Sequence, residues 1–244
     1  MSRQVMLITG ASRGIGAATA LLAARNGYDI CVNYARDAAS ADEVVAACRA
    51  EGASALAVQA DVADEGAVID LFDRAEAELG PLDSLVNNAG IVSPIARFDE
   101  YEVERIRHTF EINVVGAFIV AREAVRRMST LHGGVGGTIV NISSAAAYMG
   151  GPNEFIDYAA TKGAIDSMTI GLAKEVAAEG IRVNAVRPGL IETEIHASAG
   201  APDRVERLAP NIPMQRGGSS EEVAEAIVWL AGEASSYVTG TFLN

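Results

Sequence analysis

The strongest constraint on the fold is a rhythm that runs the length of the chain. Short β-branched or apolar runs occur at Val5 to Thr9, Asp29 to Asn33, Leu56 to Gln59, Ser84 to Asn87, Thr138 to Ile142, Ile181 to Val186 and near Thr239 to Leu243. Stretches of helical periodicity fall at about 14–26, 39–51, 64–79, 99–128, 154–178 and 220–231. This alternation predicts an α/β fold built from βαβ units: one doubly wound parallel sheet of about seven strands with helices on both faces. A chain of 244 residues, half of them hydrophobic, suits a single domain over 1–244. Segments 129–137 and 189–218 read as loops, and an open α/β sheet binds ligands in the loops at the carboxyl ends of its strands. The second is therefore the candidate substrate lid.

The first run ends in Thr9-Gly10-Ala11-Ser12-Arg13-Gly14-Ile15-Gly16, and a helical pattern follows at once. Glycines there permit a tight turn and a close approach of backbone to a pyrophosphate, while the helix N-terminus offers unpaired N–H groups to the anion. Dinucleotide binding on a Rossmann-type sheet is the expectation, although the spacing is G-x-x-x-G-x-G and not the general G-x-G-x-x-G.

Tyr158 and Lys162 lie four residues apart, which on a helix puts phenol and ammonium on one face. A phenol of pKa about 10 is a poor acid or base at neutral pH, and a nearby cation is expected to lower that value. Such a Tyr can exchange a proton with a carbonyl or hydroxyl oxygen.

The 32 acidic and 19 basic residues leave a formal net charge of -13, which disfavours nucleic acid and anionic membrane as partners. No apolar run approaches membrane-spanning length, and Val5-Met6-Leu7-Ile8 is a strand-length run leading into a turn, not a secretion signal. Cys31 and Cys48 read as small buried hydrophobes in a reducing, cytoplasmic setting. His108, His132 and His196 lack metal-ligand spacing, so no metal is expected.

Taken together, these features resemble the classical short-chain dehydrogenase/reductase family, in the branch of 3-oxoacyl-[acyl-carrier-protein] reductases and sugar or polyol dehydrogenases. The marks are the glycine turn, Asp61-Val62, Asn87-Asn88-Ala89-Gly90, Asn113, Asn141-Ile142-Ser143-Ser144, Tyr158 with Lys162, and Arg187-Pro188-Gly189 with Thr193. The resemblance implies a catalytic set of Asn113, Ser144, Tyr158 and Lys162. Tyr158 would be the acid/base; Lys162 would lower its pKa and hold the nicotinamide ribose; Ser144 would bind the substrate oxygen; Asn113 would hold a relay water. Ser143 is the competing hydroxyl, and Ser144 is favoured because it aligns with the family's serine.

The resemblance also implies cofactor contacts at Gly10, Ser12, Arg13, Gly14, Ile15, Gly16, Asn33, Tyr34, Arg36, Asp61, Val62, Asn88, Ala89, Gly90, Pro188, Gly189 and Thr193, besides Tyr158 and Lys162. Asp61 would accept from the adenine amino group, Asn87 and Ala89 would contact the ribose and strand end, and Thr193 the carboxamide. NAD-specific relatives carry an acid about where Tyr34 stands; here Arg13 and Arg36 could pair with a 2'-phosphate, so NADP(H) is the expected cofactor.

A general reductase of small or polar carbonyls ranks above an acyl carrier protein reductase, because Glu179 stands where such reductases often carry a base and only Arg126 and Arg127 could supply part of a basic patch. Glu154 and His196 are candidates for contact with a polar substrate. A non-catalytic nucleotide sensor is the alternative of another class. Family members are commonly tetramers, so a homotetramer or homodimer is expected. They usually continue past Asn244 with a short tail; either the chain is truncated or the sequence omits a tail.

Overall fold

The computed structural model describes residues 3–244. Seven strands form one parallel sheet in the order β3-β2-β1-β4-β5-β6-β7. They are β1 (Gln4–Ile8), β2 (Tyr28–Tyr34), β3 (Ala55–Gln59), β4 (Ser84–Asn87), β5 (Gly137–Ile142), β6 (Ile181–Val186) and β7 (Phe242–Leu243). The last is shorter than the run Thr239 to Leu243 suggests. Thr239 instead uses its hydroxyl as an acceptor for the Val183 N–H and leads into the strand from outside the ladder.

Successive strand residues point to opposite faces, and membership of the two cores alternates with that period of two. Met6, Ile8, Ile30, Val32, Val140 and Val186 pack against α1 (Gly14–Arg25), α2 (Ala38–Ala50) and α10 (Ser220–Ala231). Val5, Leu7, Cys31, Leu56, Ile139 and Val183 pack on the other face against α3 (Glu65–Leu79), α5 (Ala117–Met128) and α7 (Ile156–Val176). Both cysteines are buried, and burial pushes the thiols up, Cys31 to about 12 and Cys48 to about 11.

The expected helix over 99–128 is not one piece. Tyr101 and Glu102 are extended, α4 covers Val103–Phe110, and a π-helical stretch at Glu111–Gly116 separates it from α5. Gly116 packs against Val62, whose backbone a Cβ would meet at 3.1 Å, so the widened turn is seated on the loop after β3. Three short helices lie beyond the expected pattern: α6 (Ala146–Met149), and within 189–218, α8 (Ile195–Ser198) and α9 (Arg204–Leu208). No helix is long and apolar enough to cross a membrane among the described residues.

Candidate active site

The strand order reverses between β1 and β4, and a crevice opens there outside the carboxyl ends of the strands. On its β1 side, Gly10 and Gly14 adopt φ of 61° and 56°, a region that suits glycine. Gly16 is required for closeness: a Cβ would sit 2.6 Å from the Gly10 carbonyl and 2.8 Å from Asn88 Nδ2. Arg13, the N-cap of α1, provides no side-chain cap, so the first N–H groups of the helix are left for an anion. This cradle fits a dinucleotide pyrophosphate.

Two asparagines expected as cofactor contacts have side chains committed to the turn itself. Asn33 Oδ1 accepts from the Gly10 N–H at 3.2 Å and its Nδ2 donates to the Ala60 carbonyl at 3.0 Å. Asn88 Nδ2 donates to the carbonyls of Thr9 and Gly10 at 2.8 and 3.0 Å. Both are backbone clamps, Asn33 buried and Asn88 half-buried, because backbone groups in this irregular turn need partners that a ladder does not supply. Asn87 is likewise buried, donating to the Ala117 carbonyl and to Asn141.

At the cofactor's expected adenosine end, Tyr34 is half-buried while Arg13, Arg36 and Asp61 are exposed. Neither Arg13 nor Arg36 forms a salt bridge among the described residues. Asp37, beside Arg36, is used as a helix cap. Its carboxylate caps α2 through the Ser40 N–H and hydroxyl, which hold it below the usual carboxylate range. Val62 is buried beneath the π-helical stretch. Ala89 lies against Gly10 and Thr193 against Gly14, the Pro188 carbonyl accepts from the Ala145 N–H, Ile15 packs on the core beneath the turn, and Ser12 and Gly189 are half-buried and exposed respectively.

The opposite wall is α7. Lys162 is buried, its Nζ 5.5 Å from the Tyr158 ring centroid and donating to the Ile142 carbonyl at 2.7 Å. Burial pulls the ammonium down to about 8, against the pull of Asp166 in the other direction. Burial pushes the Tyr158 phenol up, and Ser144 beside it pulls it back. Gly90 lets Asn113 Oδ1 and Lys162 Nζ approach, since a Cβ there would meet them at 3.3 and 3.6 Å.

The two serines differ in burial and in partners. Ser143 donates to Asp166 at 2.7 Å and is 2 % exposed, whereas Ser144 is half-buried, accepts from the Ala146 N–H and lies on the side of the Tyr158 phenol. The Asn113 side chain is taken up within the protein. Its amide is engaged with the N–H and carbonyl of Ile91, both at 2.8 Å, and with Thr161. The side chain ties the π-helical stretch to the loop after β4, so a relay water would need another ligand, and a π-turn frees main-chain carbonyls for that purpose.

Sequence reasoning missed the frame around Tyr158. Arg105 binds Asp157 at 2.8 and 3.2 Å, and Tyr101 Oη accepts from the Ile156 N–H. It also missed Arg204, which pairs with Glu154 at 2.6 Å. His196 instead bonds the Ile191 carbonyl. Glu179 is bound by the Ser129 hydroxyl, and Glu123 with Asp73 neutralises Arg126 and Arg127, so no free basic patch forms there. No group of three metal-ligating side chains is placed to hold an ion among the described residues.

A family profile described as enoyl-(acyl carrier protein) reductase matches residues 10–244. The uncharacterized oxidoreductase YgfF of Escherichia coli K12 is 52% identical over 98% of this chain and 97% of its own. The cis-4-hydroxycyclohexanecarboxylate dehydrogenase of Sinomonas cyclohexanicum is 42% identical over 99% and 94%. Among solved structures, a 3-ketoacyl-(acyl-carrier-protein) reductase from Brucella melitensis complexed with NADH has a TM-score of 0.90 at 32% identity, covering 99% of this chain and 96% of its own. A short-chain dehydrogenase from Burkholderia cenocepacia in complex with NADP has a TM-score of 0.89 at 33% identity, covering 99% and 95%. With its sheet order, glycine cradle and Ser-Tyr-Lys wall, the chain belongs to the short-chain dehydrogenase/reductase family of oxidoreductases.

Proposed function

We propose that the chain is an NADP(H)-linked oxidoreductase that interconverts a carbonyl and a secondary alcohol, with Tyr158 as its acid/base. The observation that carries this reading is the gathering of Ser144, Tyr158 and Lys162 on one wall, within reach of Gly90 and hence of the glycine cradle. NADP(H) bound in the cradle would supply or accept the hydride.

Tyr158, raised by burial, is fully protonated at neutral pH and so suited to give its proton to a carbonyl oxygen. Ser144 donates a hydrogen bond to the same oxygen and stabilises the charge that develops there. Lys162 keeps a cation behind the phenol, easing loss of the proton and its replacement. The unpaired guanidinium groups of Arg13 and Arg36 favour a 2'-phosphate, whose geometry and charge they match. Segment 189–218 serves as the lid, and the whole chain works as one domain. Exposed Val115 and Phe118 on the α5 side and Ile170 on α7 favour assembly with further copies, which light scattering would weigh.

The test is turnover of NADPH, with NADH in parallel, against small ketones, diketones, sugars, acetoacetyl-CoA and the ring hydroxy acid named for the Sinomonas relative. Tyr158→Phe should lose turnover by about 10²- to 10⁴-fold and keep cofactor binding. Full turnover in that variant sinks the reading; tight cofactor binding with no turnover of any carbonyl would favour a sensor.

A further inference from the structure

We propose that Arg187 is a positioning residue for the reaction: it holds the Asp166 carboxylate one helical turn beyond Lys162 and divides that negative charge between the two cations. This rests on Lys162 serving Tyr158 in the function proposed above. Asp166 follows Lys162 by four residues on α7, so the two share a face of the helix. Ser143 at the end of β5 ties them together. Its hydroxyl meets Asp166 Oδ1 at 2.7 Å and the Lys162 carbonyl at 3.2 Å, while Lys162 Nζ donates to the adjoining Ile142 carbonyl. The carboxylate is gripped from β6 by Arg187, through Nη2 at 2.9 Å and Nε at 3.1 Å, with both side chains largely shielded from water.

Arg187 is itself held by the last strand. Its guanidinium carbon stands 3.8 Å over the Phe242 ring, and its N–H donates to the Leu243 carbonyl at 2.7 Å. β7 pairs with β6 at Ala185 and Val186, just before Arg187 leaves the sheet. The C-terminal strand thus fixes the guanidinium that fixes Asp166.

Few charges face Lys162. From α7 come Asp166, which favours the ammonium, and Tyr158, a protonated phenol. The end of β6 contributes Arg187 by way of Asp166. The π-helical stretch, the loop after β4 and the end of β5 present neutral groups, namely Asn113, Gly90, and Ser143 with the Ile142 carbonyl. At the start of α7, Asp157 and Arg105 answer each other. Removing Arg187 therefore leaves the carboxylate to Lys162 alone, and the ammonium gains. Removing Asp166 leaves Arg187 as a like charge, and the ammonium loses. Loosened packing would instead admit water and favour the ammonium in both cases, so opposite signs identify the sharing of charge.

The chain has two lysines, Lys162 and Lys174, so NMR of isotope-labelled lysine side chains in the full chain reads Lys162 directly once Lys174→Arg has identified the other signal. Asp166→Asn should move the Lys162 titration midpoint down by about one unit, and Arg187→Met should move it up by about 0.5–1 unit. Arg187→Lys loses the two-nitrogen grip but keeps the charge, and should stay within about 0.3 unit of the native midpoint. Since Arg187→Met costs a shielded carboxylate its partner, the double replacement Asp166→Asn with Arg187→Met, which leaves neither charge unpaired, is read beside it and should titrate above Asp166→Asn alone. A midpoint that Arg187→Met leaves unmoved or lowers, a rise in Arg187→Lys as large as in Arg187→Met, or a double variant no higher than Asp166→Asn overturns the sharing. The alkaline limb of reductive kcat/KM should follow the signal in each variant, and a limb that stays while the signal moves overturns the role in the reaction. The NMR titration needs no turnover, so its result is independent of Tyr158→Phe, which tests the proposed function.

Discussion

Arg105 grips Asp157 with two guanidinium nitrogens, at 2.8 and 3.2 Å, and the same carboxylate accepts the N–H of Tyr158 at 2.9 Å. Only 1% of the Asp157 side chain is exposed, so the charge depends on this partner. Arg105 also stacks 3.8 Å over Tyr101, whose hydroxyl accepts the Ile156 N–H. The first turn of α7, which carries Tyr158, is thereby held by contacts at Ile156, Asp157 and the Tyr158 N–H.

Arg105→Met should therefore cost about 3–5 kcal/mol, because it leaves a buried carboxylate unpaired. Urea denaturation measures the loss, and a change below about 1 kcal/mol would show that water reaches Asp157. Arg105→Lys should recover only part, since an ammonium cannot reproduce the two-nitrogen grip.

Burial of Lys162 sets stability against activity. Its pKa in the folded chain, about 8, lies below the 10.5 of a free lysine, a penalty of about 3 kcal/mol at neutral pH. The unfolded state binds more protons between these values, so the penalty is full below about pH 8 and fades as pH rises toward 10.5. Lys162→Met should raise stability by up to about 3 kcal/mol at pH 7, raise it less at pH 10, and abolish turnover. A destabilised variant at pH 7 would contradict this.

Asp166 raises the pKa of Lys162 from one helical turn away, while Arg187 holds its other side at 2.9 Å. Asp166→Asn should shift the alkaline fall of reductive kcat/KM to lower pH by about one unit, because Lys162 then loses its proton earlier. The readout is the pH profile itself; a lower rate with an unmoved limb would leave Asp166 a purely structural partner of Arg187 and Ser143.

Gly16→Ala places a Cβ 2.6 Å from the Gly10 carbonyl and 2.8 Å from the Ala11 Cα, both backbone atoms with no rotamer to yield. The expected result is a loss of about 1–3 kcal/mol by overpacking and a weakened cofactor affinity. Thermal melting and cofactor titration together check it, and a variant native in both would mean that the turn has slack.

On the NADP(H) reading, Arg36→Glu should raise the Kd for NADPH by about 10- to 100-fold and leave NADH within a few-fold, since only the former carries the 2'-phosphate. Fluorescence titration of both nucleotides decides it. Equal losses would place Arg36 elsewhere than at the phosphate.

The sequence by itself determined the order and kind of the main elements, and for a local reason. The short apolar runs at Val5 to Thr9 and Ile181 to Val186 reflect strands buried on both faces of a parallel sheet, and the glycines at 10 and 14 reflect a positive φ that side chains resist. The four-residue step from Tyr158 to Lys162 is likewise a property of one helix. The tertiary structure alone decided which polar groups were already taken. Ser143 is spent on Asp166, Asn33 on Gly10, Asn113 on Ile91, and the helix over 99–128 yields to a π-helical stretch seated on Val62. Arg204 meets Glu154 across 50 residues of chain, and Arg105 meets Asp157 across 52. Hydrogen bonds and ion pairs of this kind depend on where distant segments are brought by packing, so no local pattern encodes them, and they are what divides the residues facing the crevice from those that hold it in shape.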